Sequence, residues 1–352
     1  MERALAFVVG CMSFFVVIAT LLPLIRHEAW WIRIFDFPRI QIAVLAAVLL
    51  PAVLGGGVGR WWRYALASVL ALSILYHSFR IYPYTLIAGK QVLDHRETDP
   101  GGSLSLMVSN VMMENQQVGE YRAIVRDKNP DLLLIAEPNG WWQEQLRPIE
   151  ADYPFTMKCP LENTYGMLLY SRLKLIDPQV SFLIADDVPS MHTFIEMPEG
   201  DLLELHFLHP KPPQPSESPD SKERDAELVV IGRKAAKSQR PVIVAGDLND
   251  VAWSHTTRLF QRLSGLLDPR IGRGLYNTYH AKYPLFRFPI DHVFHSNHFK
   301  LIHLERGPYF GSDHFPIYIR LSYEPQFRHE QEKPTPEAGD REESEEKIEQ
   351  VQ

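Results

Sequence analysis

"PVIVAGDLND", Pro241–Asp250, is a run of small and branched apolar residues that ends in Gly246, Asp247 and Asn249. A short apolar run closed by Gly and polar residues reads as a buried strand. Packing alone rarely calls for a carboxylate and an amide at the end of such a strand, because polar groups there need metal, water or ligand to satisfy them. Other strand-like runs end the same way. Asn110 closes "LSLMVSN" (Leu104–Asn110), Glu137 closes "DLLLIAE" (Asp131–Glu137) and His209 closes "LLELHFLH" (Leu202–His209). Asp291 and His292 lie in "PIDHVFHS" (Pro289–Ser296), and Asp313 and His314 lie in "GSDHFP" (Gly311–Pro316), just before the alternating "IYIRL". Sheet-based folds collect their ligand sites where strands give way to loops.

"GMLLYS" (Gly166–Ser171) and "FPIYIRL" (Phe315–Leu321) complete the set of strands read from pattern. "QVGEYRAIVRDKN" (Gln117–Asn129) and "ERDAELVVIGRKAAKSQ" (Glu223–Gln239) repeat apolar residues at three- and four-residue steps, as amphipathic helices do. Strands with helices between them predict an α/β layered domain over residues 103–323. Residues 85–102, which end in Pro100-Gly101-Gly102, read as a polar linker. Residues 324–352 are dominated by Glu, Lys, Gln and Pro, and are expected to be a disordered charged tail. No internal repeat is present.

Residues 1–84 have another texture. Ala4–Ile25 and Ile40–Gly59 contain no charged residue, and Tyr64–Phe79 is bracketed by Arg63 and Arg80. A helix crossing the hydrocarbon layer needs about 20 apolar residues, so about three transmembrane helices are expected. Trp30, Trp31, Trp61, Trp62, Tyr82 and Tyr84 sit at the segment ends, where aromatic rings favour the headgroup region. The first run is longer than the core of a cleavable signal, and further apolar segments follow it. Arginines fall at both ends of these segments, so charge counting casts no decisive positive-inside vote. A short basic stub before the first segment favours an inside N-terminus. Three crossings would then place the large domain outside the cytoplasm. The two cysteines, Cys11 and Cys159, provide no disulfide framework.

The residue types at the strand ends suit particular chemistry. Carboxylate and amide oxygens without nearby thiols match a hard divalent ion such as Mg²⁺ or Mn²⁺. Histidines beside them can meet phosphate charge. A Gly-rich phosphate loop, a Gly-x-Ser-x-Gly elbow and a His-Glu-x-x-His helix are all missing from the sequence.

The order Asn110, Glu137, His209, "GDLND", Asp291, "GSDHFP" resembles the endonuclease/exonuclease/phosphatase superfamily over roughly residues 103–323. The resemblance implies a four-layer α/β sandwich, two mixed sheets packed face to face between helices. The apolar N-terminus resembles that of bacterial membrane-anchored members. It also implies roles. Glu137, helped by Asn110, would hold the metal, with Asp313 near it. Asp247 would orient and deprotonate the attacking water, and Asn249 would bind the pentacovalent phosphorus centre. His209 and His314 would contact the phosphoryl oxygens, with Asp291 fixing the His314 tautomer. Two positions depart from the usual pattern: Ala136 stands where many members carry Gln, and Met112 where some nucleases carry an acid.

The expected activity is metal-dependent hydrolysis of a phosphate ester, in nucleic acid or in a phospholipid or inositol phosphate. A formal charge of -7 gives no basic footprint for tracking DNA, although the acidic tail contributes to it. Arg270, Arg273, Lys282 and Arg287 lie in or beside "GLYNTYHAKYPLFRFPIDH" and either grip phosphates or solvate a loop. Trp141 and Trp142 either stack on substrate or pack on the sheet. No obligate protein partner is inferred. The alternative is a membrane scaffold that keeps the fold without turnover. It has less reason to keep both the Asp-x-Asn and the Asp-His pairs.

Overall fold

The computed structural model describes residues 2–56, 59–96, 102–198 and 200–351. The first apolar run forms helix α1 (Glu2–Leu21), followed by the short α2 (Trp30–Arg33), α3 (Arg39–Gly55) and α4 (Arg60–Ile81). Val16 and Ala19 of α1 pack with Ile42, Ala46 and Leu49 of α3 and Ala67 and Leu70 of α4. Alanines at these crossings let the helix backbones approach closely. The outer faces carry exposed Phe7, Phe14, Val48, Leu72 and Leu75. A helix that is apolar on both its packed and its open side suits lipid rather than water. Ala4–Leu24 and Arg60–Tyr84 are each long and apolar enough to cross a membrane, and a third span results if Trp30–Asp36 and Arg39–Gly55, bent by 72°, count as one.

The large domain runs β1 (Ser103–Asn110), α5 (Val118–Lys128), β2 (Leu132–Ala136), α6 (Gly140–Leu146), β3 (Phe155–Cys159), β4 (Met167–Ser171), β5 (Ile176–Ser181) and β6 (Ser190–Glu196). It continues through β7 (Leu202–Leu208), α7 (Lys222–Lys237), β8 (Val242–Asp247), α8 (His255–Ser264), β9 (Asp291–His295), β10 (Phe299–Arg306), β11 (Ile317–Tyr323) and α9 (Asp340–Glu349). One sheet has the order β10-β11-β1-β2-β4-β3 and the other β5-β6-β7-β8-β9. Among the described strands, β1/β2 and β7/β8 pair in parallel and the other neighbours are antiparallel.

The continuous apolar strands are explained by burial on both faces. On β2, Leu132 and Leu134 point between the sheets, while Leu133 and Ile135 lie under Tyr121 of α5 and Trp142 of α6. On β8, Ile243 and Ala245 face the other sheet, while Val242 and Val244 meet Leu228 of α7 and Phe260 of α8. The result is helix, sheet, sheet, helix: two mixed sheets flanked by helices. Trp142 is therefore core, and Trp141 keeps a partly exposed ring against it.

Two segments differ from the sequence expectation. The tail is not disordered where it is described. Arg262 of α8 grips Asp340 through Nε and Nη2 at 2.7 and 2.8 Å, Lys347 reaches Asp225 of α7 at 3.0 Å, and Ile348 packs by Val229 and Leu259. Composition indicates disorder because apolar area is scarce, but complementary charges on α7 and α8 supply partners that composition does not reveal. The expected linker is also partly docked. Leu93 and His95 exchange backbone hydrogen bonds with Leu301 of β10, each at 2.8 Å. Residues 97–101 lie outside the described residues.

The bundle is seated on the domain. Trp253 Nε1 donates to the Asp36 carbonyl at 2.8 Å, Tyr84 Oη donates to the Ala252 carbonyl at 2.6 Å, and Phe37 meets Phe288 edge-on at 5.4 Å.

Candidate active site

Strand direction brings the polar strand ends together. The parallel strands β1, β2, β7 and β8 all finish at one end of the sandwich, and the antiparallel β9 and β11 begin there. Asn110, Glu137, His209 and Asp247 therefore arrive from strand C-termini, Asp291 from a strand start, and His314 from the loop before β11.

Asn110 Nδ2 donates to Glu137 Oε1 at 2.7 Å and to Asp247 Oδ2 at 3.0 Å, so one amide bridges the two sheets. His314 Nδ1 lies 2.8 Å from Asp291 Oδ2, and its Nε2 lies 3.6 Å from Asp247 Oδ2. His209 Nε2 lies 3.8 Å from Asp247 and 4.0 Å from Glu137. Six of the eight expected residues thus share one pocket floor. Asn249 stands at its edge: its backbone N–H donates to Asp247 Oδ1 at 3.0 Å, and its amide donates to the Pro210 carbonyl at 2.9 Å. Asp313 is half-buried, and its backbone carbonyl accepts from Ala281 N–H at 2.6 Å. Glu137 and Asn249 hold left-handed backbone angles, φ 61° and 51°. Such angles are uncommon for residues with a side chain and collect at functional sites.

The charges are held unevenly. Burial, with Asp247 and Asp313 nearby, pushes the Glu137 carboxyl up to about 7 despite the Asn110 hydrogen bond. Burial and Asp291 raise Asp247. Burial alone would discharge His314, but Asp291 and Asp247 outweigh it and lift the imidazole to about 10. Burial lowers His209, so the two rings differ in charge. One anion-stabilising cation, one neutral ring and a basic carboxylate face the same space.

Pattern reading missed the residues that brace this floor. Ser312 Oγ donates to the Asn110 carbonyl at 2.8 Å and accepts from His314 N–H at 3.0 Å, joining the first strand to the last loop. Tyr165 packs on His209 at 5.5 Å between ring centroids, and Tyr279 packs on His314 at 5.0 Å. A lone Ser or Tyr in a loop carries no sequence signal of this kind. His292, adjacent to Asp291, faces the opposite way toward Arg270 and the Asp250 carbonyl. Arg270 is buried with Asp268, and Arg273 binds Asp94, so neither is a free phosphate grip.

Comparison with known proteins agrees with this architecture. The domain matches solved structures of TDP2 from D. rerio, humanized by 14 mutations (17% identity, TM-score 0.53, 62% of this chain and 98% of that one). It also matches the endonuclease/exonuclease/phosphatase from Beutenbergia cavernae (18% identity, TM-score 0.52, 63% of this chain and 72% of that one). A third match is D. rerio TDP2 complexed with single strand DNA product (17% identity, TM-score 0.52, 62% and 98%). Identities this low speak for the fold alone. No curated protein matches the chain in sequence. The family description that does match, over residues 107–314, begins in β1 and ends on His314, and so covers every strand-end residue of the pocket. By that match this chain belongs to the endonuclease/exonuclease/phosphatase family.

Proposed function

We propose that the protein is a membrane-anchored, divalent-metal-dependent phosphoesterase that cleaves phosphodiester bonds by attack of water. The observation that carries this is the meeting of Asn110, Glu137, His209, Asp247, Asp291 and His314 at one end of the two sheets.

The donor set fits a hard cation. Glu137 is raised to about 7 chiefly by burial, with neighbouring carboxylates adding to it, the condition a bound divalent ion relieves. Donor atoms of Asp247, Asp291 and His314 lie within 4.8 Å of one another, but Asp291 and His314 already bond each other at 2.8 Å. We therefore assign Mg²⁺ or Mn²⁺ to Glu137, with Asn110 and Asp313 beside it. When bound, the ion supplies positive charge against the phosphoryl oxygens.

The protein's own groups do the rest. Asp247, basic and fixed by Asn110, orients a water and takes its proton. Asn249 steadies the phosphorus centre from the pocket edge. Cationic His314, held by Asp291, offsets the charge that grows on the phosphoryl oxygens, and neutral His209 donates a hydrogen bond to them.

A separate observation favours a lipid headgroup as the source of the phosphate. The loop after Tyr279 carries exposed Tyr283, Leu285 and Phe286, with Leu285 76% exposed. The Leu285 carbonyl accepts from Gln41 of α3 at 2.5 Å, while Ala281 in the same loop binds Asp313. One loop thus touches both the apolar bundle and the pocket.

Full-length protein in detergent with Mg²⁺ tests this on sphingomyelin and phosphatidylinositol vesicles, single-stranded DNA and plasmid. EDTA-sensitive cleavage is expected, fastest on lipid, and Asp247→Ala should lower it by about 10³. A chain that hydrolyses none of these substrates, or an Asp247→Ala variant that keeps full activity, would overturn the reading.

A further inference from the structure

Three arginines meet where the bundle joins the domain, and a single carboxylate serves two of them. Arg33 and Arg39 both bind Asp36, at 3.2 and 2.6 Å. Arg80, near the end of α4, donates to the Trp253 carbonyl at 2.6 Å and has no ion-pair partner among the described residues. All four residues line a cavity of about 400 Å³ between the domain-side ends of α1, α3 and α4 and the helices α7, α8 and α9.

The other charged groups of the wall are largely matched. Lys347 binds Asp225 and Glu28, and Arg26 and His255 share Glu343, while Glu346 stands exposed at the rim. Over the whole lining five cations face five carboxylates, but the inner wall sets Arg33, Arg39 and Arg80 around Asp36 alone. Arg39 is only 1% exposed, yet its Nε and Nη1 have no hydrogen-bond partner among the described residues, and neither has Nε of Arg80. Beyond its bond to Asp36, the Arg39 guanidinium rests on the Tyr76 ring at 5.4 Å. Buried guanidinium N–H groups left unmade are costly, and charge in a low-dielectric wall draws an opposite charge of matching shape. Planar guanidiniums match phosphate oxygens best.

We propose that this cavity binds a phosphate group between Arg39 and Arg80, in a site separate from the catalytic pocket. The phosphate belongs either to a phospholipid headgroup or to a soluble phosphate. Exposed Leu24, Ile25 and Ile34 nearby would meet acyl chains in the first case. In either case the anion ties α3 and α4 together beside Trp253, so its binding stabilises the seat of the bundle on the domain.

The test uses the full chain in detergent with EDTA present, and follows thermal unfolding against inorganic phosphate and, separately, short-chain phosphatidylglycerol, with chloride at equal ionic strength as control. At least one probe should raise Tm saturably. Arg39→Gln and Arg80→Gln should each weaken that binding by roughly tenfold or more. A shift with phosphate identifies a soluble ligand, and a shift with the lipid alone identifies a headgroup. Arg80→Gln leaves the Asp36 pairs intact, so it carries the test if Arg39→Gln destabilises the unliganded chain. Absence of a saturable shift in the wild type overturns the proposal. So does equal binding by wild type and Arg80→Gln, which would place the phosphate in the catalytic pocket instead.

Discussion

Glu227 is buried on α7, and its Oε1 has no hydrogen-bond partner among the described residues. Burial, with Glu223 adding to it, pushes its carboxyl up to about 8, well above the unfolded value near ~4.3. A raised folded-state value means that stability is full below the unfolded value and lost as pH rises through the folded one. Glu227→Gln removes that titration. The variant should be more stable by on the order of 5 kcal/mol above pH ~8, with the gain vanishing below pH ~4. Tm measured across this range checks it, and an unchanged difference at both ends would contradict it. The pocket residues were legible for a related reason: a carboxylate, amide or imidazole at the end of an apolar run lacks an ordinary partner. Their braces were not legible. Ser312, Tyr165 and Tyr279 act through contacts with residues distant in sequence. Asp291 and His292 are neighbours on β9, where alternate side chains face opposite ways, so only Asp291 enters the pocket.

The strand ends depend on a close approach of β8 to β7. Gly246 has φ +147°, and a Cβ there would lie 1.9 Å from the Leu208 carbonyl oxygen. Gly246→Ala should therefore force β7 and β8 apart beside His209 and Asp247 and cost about 3 kcal/mol or more. A Tm within a degree or so of wild type would refute the close approach. The C-terminal helix depends instead on charge. For Asp225, burial opposes ionisation, but Lys347 and Arg224 outweigh it and hold the carboxyl below its usual range. Asp340 is likewise lowered: burial again works against it and the Arg262 hydrogen bonds prevail. Depressed folded-state values mean that this stability is present above the unfolded value near ~4 and is lost as pH falls through the folded one. Amide exchange in Asp340–Glu349 should accelerate, relative to β1, as pH drops below ~4, after correction for intrinsic rates. Protection of α9 unchanged to still lower pH would show that Ile348 packing, not charge, holds the helix.

Taken whole, the molecule places a hydrolase fold directly on a short apolar bundle, joined through Trp253, Tyr84, Phe37 and Phe288. Helices whose outer faces carry Phe7, Phe14 and Leu75 have no aqueous cover. The chain should remain in the membrane pellet through alkaline carbonate washing and leave it only with detergent; release by carbonate would contradict a spanning bundle. Some of this architecture was determined by the sequence alone. Apolar runs bounded by Gly and polar residues mark β1, β2, β4, β7, β8, β9, β11 and the long apolar helices, because buried faces favour apolar side chains; β3, β5, β6 and β10 mix polar residues into the strand and carry no such run. The strand-end acids and histidines announce a site, because such groups need partners. Other features only the tertiary structure decided: the shared Asn110 amide, the docked charged tail and the arginine-walled cavity. Each joins residues from separate parts of the chain, and no local pattern records which charges will meet after folding.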